Sequence, residues 1–520
     1  MNKSQVLQKL RRLLAEPQWW VLAIWLVEVS ALQFSTLGYD YTAPFSKRLI
    51  SANWRGLLDV LLLGSAVLLL PRPILVLVWI AEFFLGQTAW VYHDVFGRAL
   101  SWSTLSAQLH EGAQGAGFDW DYVLNPSGVL LLLALGAKIA IVAKKGDRFA
   151  PRRTWGACLL GIYLLVAVVG VTRVDPLSKL RRFGTVDRMG ATHGYILTWL
   201  GEAYYLAPET LLAEALERAK LTDSSLMEKW GPLPVSSATN ILIVQTESLD
   251  WRVLGQEFAE APLVPFLQTL RDSSLLFRTQ AVHENGSADA DFIWLTGNLP
   301  SPRIVTYKLR GYPYTESLAA RAHAVGFDTA FVHGNSGDFF DRRIAVAQMG
   351  FDRTLFTEEL YPIGLAPSIW GIDDDVVFDY IAQQINGAQT PQLFYFVTLT
   401  SHQPFVYLPT AKASVQVDKT DMTQRYWQAI RYVDESLASL YAKLPDGTLL
   451  IVFGDHRAIA KYSPTQKDYD IEGEYVPTFI AQKGHNLREQ FGQNASYDES
   501  HVHAIASWVH QSLAQAKRLP

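Results

Sequence analysis

Polar side chains that could bind a metal follow four apolar runs in the second half of the sequence, each at the point where the run ends. These residues are, in chain order, Glu247, His333, His402 and the pair Asp455-His456. In an open α/β sheet, the carboxyl ends of the strands meet at one edge, and ligands bind there. The spacing therefore predicts that these side chains share one site.

Glu247 and the pair Asp455-His456 are residue types that bind metals. Glu247, Asp455 and His456 offer carboxylate and imidazole ligands, which suit Zn, Mn or Mg. The sequence contains a single cysteine, Cys158, which lies in an apolar run, so the soluble part has no thiolate ligand. We predict one divalent metal with a coordination position open for a nucleophile or a substrate.

A serine in the segment 284–292 is the candidate nucleophile. Gly286 permits an unusual turn, and Ser287 then precedes 288–295, which can form a helix. The free N–H groups and the dipole of a helix N-terminus favour phosphate and an ionised oxygen, and contact with a metal would activate the hydroxyl further. The alternative, which the spacing alone favours, is that Ser287 only caps the helix.

The elements that must position these residues alternate between apolar strands and amphipathic helices. Continuous apolar runs predict strands buried on both faces at 240–245, 329–332, 393–398, 449–453 and 476–480. Helical patterns lie between them, for example at 316–324, 374–384 and 423–443. This alternation predicts an α/β domain with a mainly parallel central sheet, over residues 236–520.

The first third of the chain has the pattern of a transmembrane region, over residues 1–172. Five apolar segments are candidate spans, at 19–37, 57–70, 74–92, 129–143 and 155–171. The second and third segments could instead form a re-entrant hairpin. Basic residues before the first segment and between the fourth and fifth predict that the N-terminus lies on the cytoplasmic side of the membrane. Five crossings then place the acidic loop before the fourth segment, with Glu111, Asp119 and Asp121, and the chain after Val171 outside. Residues 173–235 have the pattern of an interfacial helix and linker, or of a plain linker.

The other charged residues support two further expectations. Glu28, Glu82 and Lys138 fall inside the apolar segments, where ionisable residues often serve a function. We expect instead that they pair with one another or lie near a membrane interface. The formal net charge of -5 and the pI of about 6.2 argue against a nucleic-acid partner, because proteins that bind nucleic acids are usually basic.

The soluble part resembles the sulfatase-like, alkaline-phosphatase-superfamily domain of lipoteichoic acid synthases and related phosphoglycerol transferases. The resemblance extends from Thr239 to His503, and the five-segment anchor is similar too. The motifs that carry it are IVQTES at 243–248, NGS at 285–287, FVHGN at 331–335, FDR at 340–342, WGIDD at 370–374, TSHQPF at 400–405 and FGDH at 453–456.

The resemblance implies a metal site and a nucleophile. Glu247, Asp455 and His456 would hold one divalent metal. Ser287 would complete the site as the metal-bound nucleophile, in place of the family's usual threonine. His402 would steady the phosphoryl group or protonate the leaving group.

The resemblance also implies a substrate. His333 and Arg342 match headgroup-binding positions, and Phe340 stands where these enzymes typically carry tryptophan. The implied reaction moves a phosphoglycerol headgroup from phosphatidylglycerol to a surface glycan or polymer, through a phosphoseryl intermediate. Close alternatives are a phosphoethanolamine transferase, a phosphatase or phosphodiesterase, and a non-catalytic lipid sensor. True sulfatase chemistry is set aside, because Ser287 is followed by Ala-Asp-Ala-Asp and lacks the nearby Pro and Arg of the formylglycine motif.

Overall fold

The computed structural model describes most of the chain between residues 16 and 516. The described ranges are 16–36, 45–96, 100–102, 104–105, 126–144, 153–174, 194–196, 198–199, 208–403, 405–458, 475–494 and 496–516. The chain divides into two compact units, Met1–Ala207 and Pro208–Pro520. The domain boundaries that the sequence indicates near 172 and 235 remain predictions.

Long helices make up most of the described part of the first unit. They are Pro17–Thr36, Phe45–Leu69, Arg72–Phe96, Pro126–Lys144 and Arg153–Val174. By length and hydropathy, Arg72–His93 is the one stretch within the described ranges that is long and apolar enough to cross a membrane. The number of crossings therefore remains a prediction.

The orientation of the first unit also remains a prediction. Most of the charged residues on which it rests lie outside the described residues, namely Lys3, Lys9, Arg11, Arg12, Glu111, Asp119, Asp121, Lys145, Arg148 and Arg152.

A buried group of three charges lies inside the first unit. Lys138 Nζ is 2.5 Å from Glu28 Oε2 and 3.0 Å from Glu82 Oε2, and the lysine side chain has no solvent exposure. The ammonium group also lies 5.1 Å from the ring centroid of Trp25 and 5.8 Å from that of Trp79. The three ionisable residues thus pair with one another, which is the first of the two structural roles that we expected.

The second unit is an α/β domain. Its strands are β1 Ile241–Thr246, β2 Glu257–Phe258, β3 Ala261–Pro262, β4 Leu275–Gln280, β5 Asp328–His333, β6 Arg353–Leu355, β7 Gln392–Val397, β8 Leu449–Gly454, β9 Tyr475–Gln482 and β10 Asp498–His501. Its helices are Pro208–Arg218, Ser225–Trp230, Pro265–Leu270, Ala288–Thr296, Leu318–Ala324, Arg342–Gln348, Thr357–Leu360, Asp374–Gly387, Met422–Lys443, Leu487–Gln490 and Val502–Gln515.

Eight of the strands form one sheet in the order β10-β4-β9-β8-β1-β7-β5-β6. The neighbours β8, β1, β7 and β5 are mutually parallel. Every residue of β1, β7 and β8 is buried, because both faces of these strands are covered. In this register Thr246 lies beside Gly454, and His333 lies beside Val397. The residues that follow the four strands therefore emerge at the same edge of the sheet.

The predicted fold class of this unit, with its mainly parallel sheet, is confirmed. The predicted run at 476–480 is a strand, but β9 pairs antiparallel with both of its neighbours. Three strands of the sheet were not predicted, namely β4, β6 and β10. β6 has three residues, and β10 reads Asp-Glu-Ser-His, so neither has the apolar run that indicates a buried strand.

Candidate active site

Glu247 and the pair Asp455-His456 meet at the carboxyl edge of the sheet. Glu247 follows β1 and Asp455 follows β8, the strand paired with it. His456 Nε2 lies 3.1 Å from Glu247 Oε1 and 3.6 Å from Asp455 Oδ2. One ligand atom from each of the three residues lies within 4.8 Å of the others, which is the spacing of a metal site.

The backbone around Glu247 is fixed by the loops beside it. Its N–H donates to Thr398 Oγ1 at 2.9 Å, and its carbonyl accepts from Ser401 Oγ at 2.6 Å. Ser248, in a left-handed conformation with φ 55°, donates its hydroxyl to Glu247 Oε1 at 2.9 Å and its N–H to Asp455 Oδ1 at 2.8 Å. Hydrogen bonds from Ser248 thus hold the carboxylates of Glu247 and Asp455 close to each other.

Burial and mutual repulsion decide which of these groups carries a proton. Burial opposes ionisation of Glu247, but His456 and His402 hold the pKa of this carboxyl well below its usual value. Burial, followed by the charge of Glu247, raises the pKa of Asp455 to about 8. Burial disfavours the imidazolium of His456, but Asp455 and Glu247 outweigh it and raise the pKa to about 10. The two carboxylates therefore need a positive charge beside them.

The donor set fits a divalent cation. Asp455 Oδ2 is buried and has no hydrogen-bond partner among the described residues, which is costly for a carboxylate oxygen. His456 Nδ1 donates to the carbonyl of Arg457 at 2.8 Å, so the neutral ring presents the lone pair of Nε2 to the carboxylates. Carboxylate and imidazole ligands of this kind hold Zn, Mn or Mg.

Ser287 lies beside this cluster. Its Oγ is 3.0 Å from Glu247 Oε2 and 3.3 Å from His456 Nε2. The residue directly precedes the helix Ala288–Thr296, yet its side chain accepts no hydrogen bond from the helix backbone. The interpretation of Ser287 as an ordinary cap is therefore wrong, because its hydroxyl is directed at the carboxylate and the imidazole instead.

The loop before Ser287 is held by a buried carboxylate and a glycine. The carboxylate of Asp289 accepts two backbone N–H groups of this loop, each at 2.7 Å. Gly286 has φ 108°, and a Cβ there would lie 2.9 Å from the ring of Phe340. Only glycine satisfies both conditions, so the sequence around Ser287 follows from the turn that presents its hydroxyl.

A hydrogen-bond chain that the sequence did not reveal fixes the backbone of Ser287. Tyr395 Oη donates to Gln245 Oε1 at 2.6 Å, and Gln245 Nε2 donates to the carbonyl of Ser287 at 3.1 Å. Gln245 lies in β1 and Tyr395 in β7, and these two strands are neighbours in the sheet. The signal in the sequence was one polar side chain inside each of two apolar strands.

His402 lies in the loop after β7. Its Nδ1 donates to the carbonyl of Gln403 at 2.6 Å, which leaves Nε2 as the nitrogen available for proton transfer. Asp374 holds this loop, because its two carboxylate oxygens accept backbone N–H groups of the loop at 2.8 and 2.9 Å. His402 is close enough to Glu247 for its charge to lower the pKa of that carboxyl.

His333 and Arg342 also lie together, but the guanidinium is held by a carboxylate that the sequence did not reveal. Arg342 Nε donates to Asp291 Oδ2 at 2.7 Å, and Nη1 lies 3.5 Å from His333 Nε2. His333 Nδ1 donates to the carbonyl of Val397 at 3.0 Å. Burial, followed by the charge of Arg342, lowers the pKa of His333 to about 3, so this histidine is a neutral acceptor.

Phe340 packs between the nucleophile loop and this arginine. Its ring contacts Gly286 and lies 5.2 Å from the guanidinium carbon of Arg342. Phe340 and Asp341 have φ values of 61° and 60°, in the left-handed region that non-glycine residues rarely adopt. Such local strain is typical of functional sites.

A family model described as Sulfatase matches residues 239–512, which is more than half of the chain. The chain belongs to the sulfatase family. Every residue of the cluster described above lies within the matched range. The family is part of the alkaline phosphatase superfamily, whose enzymes use a divalent metal, in agreement with the donor set at this edge of the sheet.

Curated relatives of this sulfatase-family chain match it over limited lengths. The lipoteichoic acid synthase-like protein YvgJ of Bacillus subtilis (strain 168) is 23% identical over 235 residues, which are 44% of this chain and 38% of that protein. Phosphoglycerol transferase I of Xanthomonas euvesicatoria pv. vesicatoria (strain 85-10) is 26% identical over 145 residues, which are 26% of this chain and 21% of that protein. The chain therefore spans well under two thirds of the length of either relative.

A solved structure is similar to the sulfatase-family chain over almost all of its length. The integral membrane protein lipooligosaccharide phosphoethanolamine transferase A from Neisseria meningitidis aligns with a TM-score of 0.52 at 14% identity, covering 95% of this chain and 99% of that one. At this identity the likeness shows the fold alone.

Proposed function

We propose that the protein is a metal-dependent transferase that moves a phosphoglycerol headgroup from phosphatidylglycerol to a glycan or polymer acceptor, through a phosphoseryl intermediate on Ser287. The observation that carries the proposal is the position of Ser287 Oγ, 3.0 Å from one metal-type ligand and 3.3 Å from another. A serine hydroxyl at a cluster of this kind and at a helix N-terminus is placed to act as a nucleophile.

Glu247, Asp455 and His456 would hold the metal, with Ser287 at the open position. A bound divalent cation would supply positive charge that lowers the pKa of the Ser287 hydroxyl and stabilises the charge that develops on the phosphoryl oxygens. We propose a single ion of Zn, Mn or Mg.

Residues of the chain would catalyse the formation and then the breakdown of the phosphoseryl intermediate. Ser287 Oγ, ionised after loss of its proton to solvent, attacks phosphorus. The bond from phosphorus to the diacylglycerol oxygen breaks, and His402 Nε2, which is protonated at this stage, gives that oxygen a proton. In the second half an acceptor hydroxyl attacks the same phosphorus, His402 Nε2 takes its proton, and the bond to Ser287 breaks. His402 suits both steps, because its Nδ1 bond to a carbonyl fixes which nitrogen exchanges the proton.

The donor would be recognised by Arg342, His333 and Phe340. Arg342 is buried beside the Ser287 helix, and its Nη2 has no hydrogen-bond partner in the described part of the chain. A guanidinium N–H in that position is suited to a non-bridging phosphate oxygen. The name of the phosphoglycerol transferase relative supports the choice of headgroup.

We propose that the first unit anchors the enzyme in a bacterial cytoplasmic membrane with five spans, the N-terminus inside and the sulfatase-family domain outside. The five long helices support this arrangement, as does the likeness to an integral membrane protein over most of the chain. An anchor of this kind would keep the site near its lipid donor.

Phosphoethanolamine transfer is the second candidate. The observation that favours it is the fold shared along 95% of the chain with a phosphoethanolamine transferase. Its mechanism would use the same cluster and the same serine, so the two candidates differ only in the headgroup.

The test is diacylglycerol release by the purified, metal-loaded, full-length protein from phosphatidylglycerol and phosphatidylethanolamine vesicles in parallel, with Ser287→Ala as control. We expect release from phosphatidylglycerol that the control lacks. Release from phosphatidylethanolamine alone would favour the second candidate. Release from neither, by a protein that binds metal, would remove both lipids as donors and point to a sensor or another substrate.

A further inference from the structure

Four buried polar atoms beside the Ser287 helix have no hydrogen-bond partner among the residues that the structure describes. They are Asp291 Oδ1, Arg342 Nη2, Tyr307 Oη and Tyr314 Oη. The relative exposures of these side chains are 0, 2, 3 and 8%. Buried polar atoms are nearly always paired, so four unpaired ones in one place point to a polar ligand or to ordered water.

These four side chains belong to one cluster. Asp291 and Arg342 are joined by their 2.7 Å hydrogen bond. Burial, followed by the charge of Asp291, raises the pKa of Tyr307. Burial also raises the pKa of Tyr314, with smaller contributions from Tyr312 and then from Asp291. The rings of Tyr307 and Tyr314 are 6.5 Å apart. Both phenols are therefore within electrostatic reach of the Asp291 carboxylate.

The cluster lies one helical turn from the nucleophile. Asp291 follows Ser287 by four residues, and its N–H points to the carbonyl of Ser287 at 3.5 Å. Side chains four residues apart on a helix are neighbours on one face, with Cβ atoms about 5–6 Å apart. A short group attached to a phosphorus on Ser287 would therefore reach the cluster.

The charges and hydrogen-bonding types of the cluster favour a neutral ligand with hydroxyl groups. The negative charge of Asp291 is already compensated by Arg342, and an ammonium group would lie beside the guanidinium. Asp291 Oδ1 can only accept a hydrogen bond when ionised, Arg342 Nη2 can only donate one, and each tyrosine hydroxyl can do both. A diol, whose hydroxyls also donate and accept, satisfies this set.

We propose that Asp291, Tyr307 and Tyr314 bind the hydroxyl groups of a glycerol phosphate, that the two N–H groups of Arg342 Nη2 are shared between a hydroxyl and the phosphate, and that this cluster selects phosphoglycerol over headgroups without hydroxyls. The inference rests on the proposed function for its substrate. It assigns donor selectivity to two tyrosines and an aspartate that no motif of the sequence pointed to.

The experiment compares two ligands that differ only in their hydroxyls. Binding of sn-glycerol 1-phosphate and of n-propyl phosphate to the manganese-loaded, full-length protein is measured by calorimetry. We expect the wild type to prefer glycerol phosphate. Tyr307→Phe and Tyr314→Phe should each weaken glycerol phosphate binding about 5- to 10-fold, because each removes one hydrogen bond, and should leave propyl phosphate binding unchanged.

Tyr312→Phe is the matched control. Tyr312 is buried in the same aromatic cluster, with its ring 5.1 Å from that of Tyr314, but its hydroxyl accepts a hydrogen bond from Asn298 Nδ2 at 3.2 Å. This variant loses a hydroxyl from the same surroundings and should keep the ligand preference. Unchanged propyl phosphate binding in every variant shows that each protein is folded and keeps its phosphate site.

Three outcomes would overturn the inference. Equal binding of both ligands by the wild type would mean that the cluster holds only water. An equal loss of both ligands in the tyrosine variants, or the same loss in Tyr312→Phe, would show a structural effect. A different outcome would contradict only the proposed lipid donor. If glycerol phosphate selectivity depends on Tyr307 and Tyr314 but phosphatidylglycerol releases no diacylglycerol, the pocket stands and the donor is wrong.

Discussion

The molecule contains two buried groups of the same composition, each with two carboxylates and one nitrogen base, and they differ in the source of their positive charge. In the first unit, Lys138 brings the cation with it and lies within 3.0 Å of both Glu28 and Glu82. In the second unit, the base is His456, which can be neutral. A lysine keeps its own charge at neutral pH, whereas an imidazole can exchange its proton for a metal.

This difference explains why the two groups are suited to different tasks. An ammonium flanked by two carboxylates and two tryptophan rings has its charge satisfied within the protein. Each group has one buried carboxylate oxygen without a hydrogen-bond partner among the described residues, Glu28 Oε1 in the first and Asp455 Oδ2 in the second. The second group also has a serine hydroxyl, which lies 3.0 Å from Glu247 Oε2. The first arrangement stabilises a fold, and the second can bind and activate something from outside.

The largest effect is expected from Ser287→Ala, which should lower the rate of diacylglycerol release by about 10⁴-fold or more, because it removes the nucleophile. Ser287→Thr keeps the hydroxyl and is the matched control, which should keep measurable activity. Metal content, measured in both purified variants, should stay close to the wild type. An alanine variant with wild-type turnover would remove Ser287 from the mechanism.

Lys138→Met should lower the free energy of unfolding by about 3–5 kcal/mol, because it leaves two buried carboxylates without a cation. Thermal unfolding in detergent measures the loss. The triple variant Lys138→Met, Glu28→Gln, Glu82→Gln removes all three charges and should recover much of the stability. Wild-type stability in the single variant would show that the first group needs no cation, and the contrast between the two groups would disappear.

His510 extends the comparison to a buried imidazole whose titratable neighbours, Arg321 and His503, are both basic. Burial, opposed by the hydrogen bond to Trp294 and reinforced by these two neighbours, lowers its pKa to about 4. Its Nε2 donates to the carbonyl of Trp294 at 2.9 Å, and its Nδ1 has no partner within the described ranges. A proton added to Nδ1 would therefore have no acceptor.

His510 should make the second unit sensitive to acid. Below pH 6.5 the unfolded chain binds a proton that the folded one excludes, so stability is lost as the pH falls from 6.5 to about 4, by about 3 kcal/mol. Denaturant unfolding across this range measures the loss. His510→Gln keeps a donor but cannot titrate, so its stability should fall less. Parallel curves for the two proteins would contradict the assignment.

Removal of the proposed metal should cause the smallest of these losses in stability. At a metal concentration a hundred times the Kd, bound metal adds about 2.7 kcal/mol of stability, which a chelator would abolish. The change should appear as a lower Tm of the wild type. Asp455→Asn, which lacks one ligand, should have a Tm that does not respond to metal or chelator. An equal response in both proteins would place the metal elsewhere.

The sequence was most informative where one type of interaction dominates. The strands β1, β5, β7 and β8 are short apolar runs that end in polar residues, and this pattern predicted both the sheet and the meeting of Glu247, Asp455 and His456. The pairs Asp291–Arg342 and Gln245–Tyr395 could not be predicted, because their partners lie 51 and 150 residues apart and no local pattern joins them.

At two positions the ordinary meaning of a local pattern is not the role that the residue has. An aspartate in the first turn of a helix, such as Asp291, is usually explained by the helix dipole, and a serine before a helix is usually a cap. Here the first binds an arginine and the second faces a metal-type cluster. Tertiary contacts decided both roles.

The separation of the metal-type ligands along the chain determines when the site can form. Ser248, which ties the two carboxylates together, is 207 residues from Asp455. During synthesis, Glu247 emerges long before β8, and contacts of this sequence separation close late because of their loop entropy. A metal ion that meets the growing chain finds a single carboxylate and binds weakly. Loading of the proposed metal would therefore be a late step in the maturation of this protein, and the compartment in which β8 pairs with β1 would determine which ion it acquires.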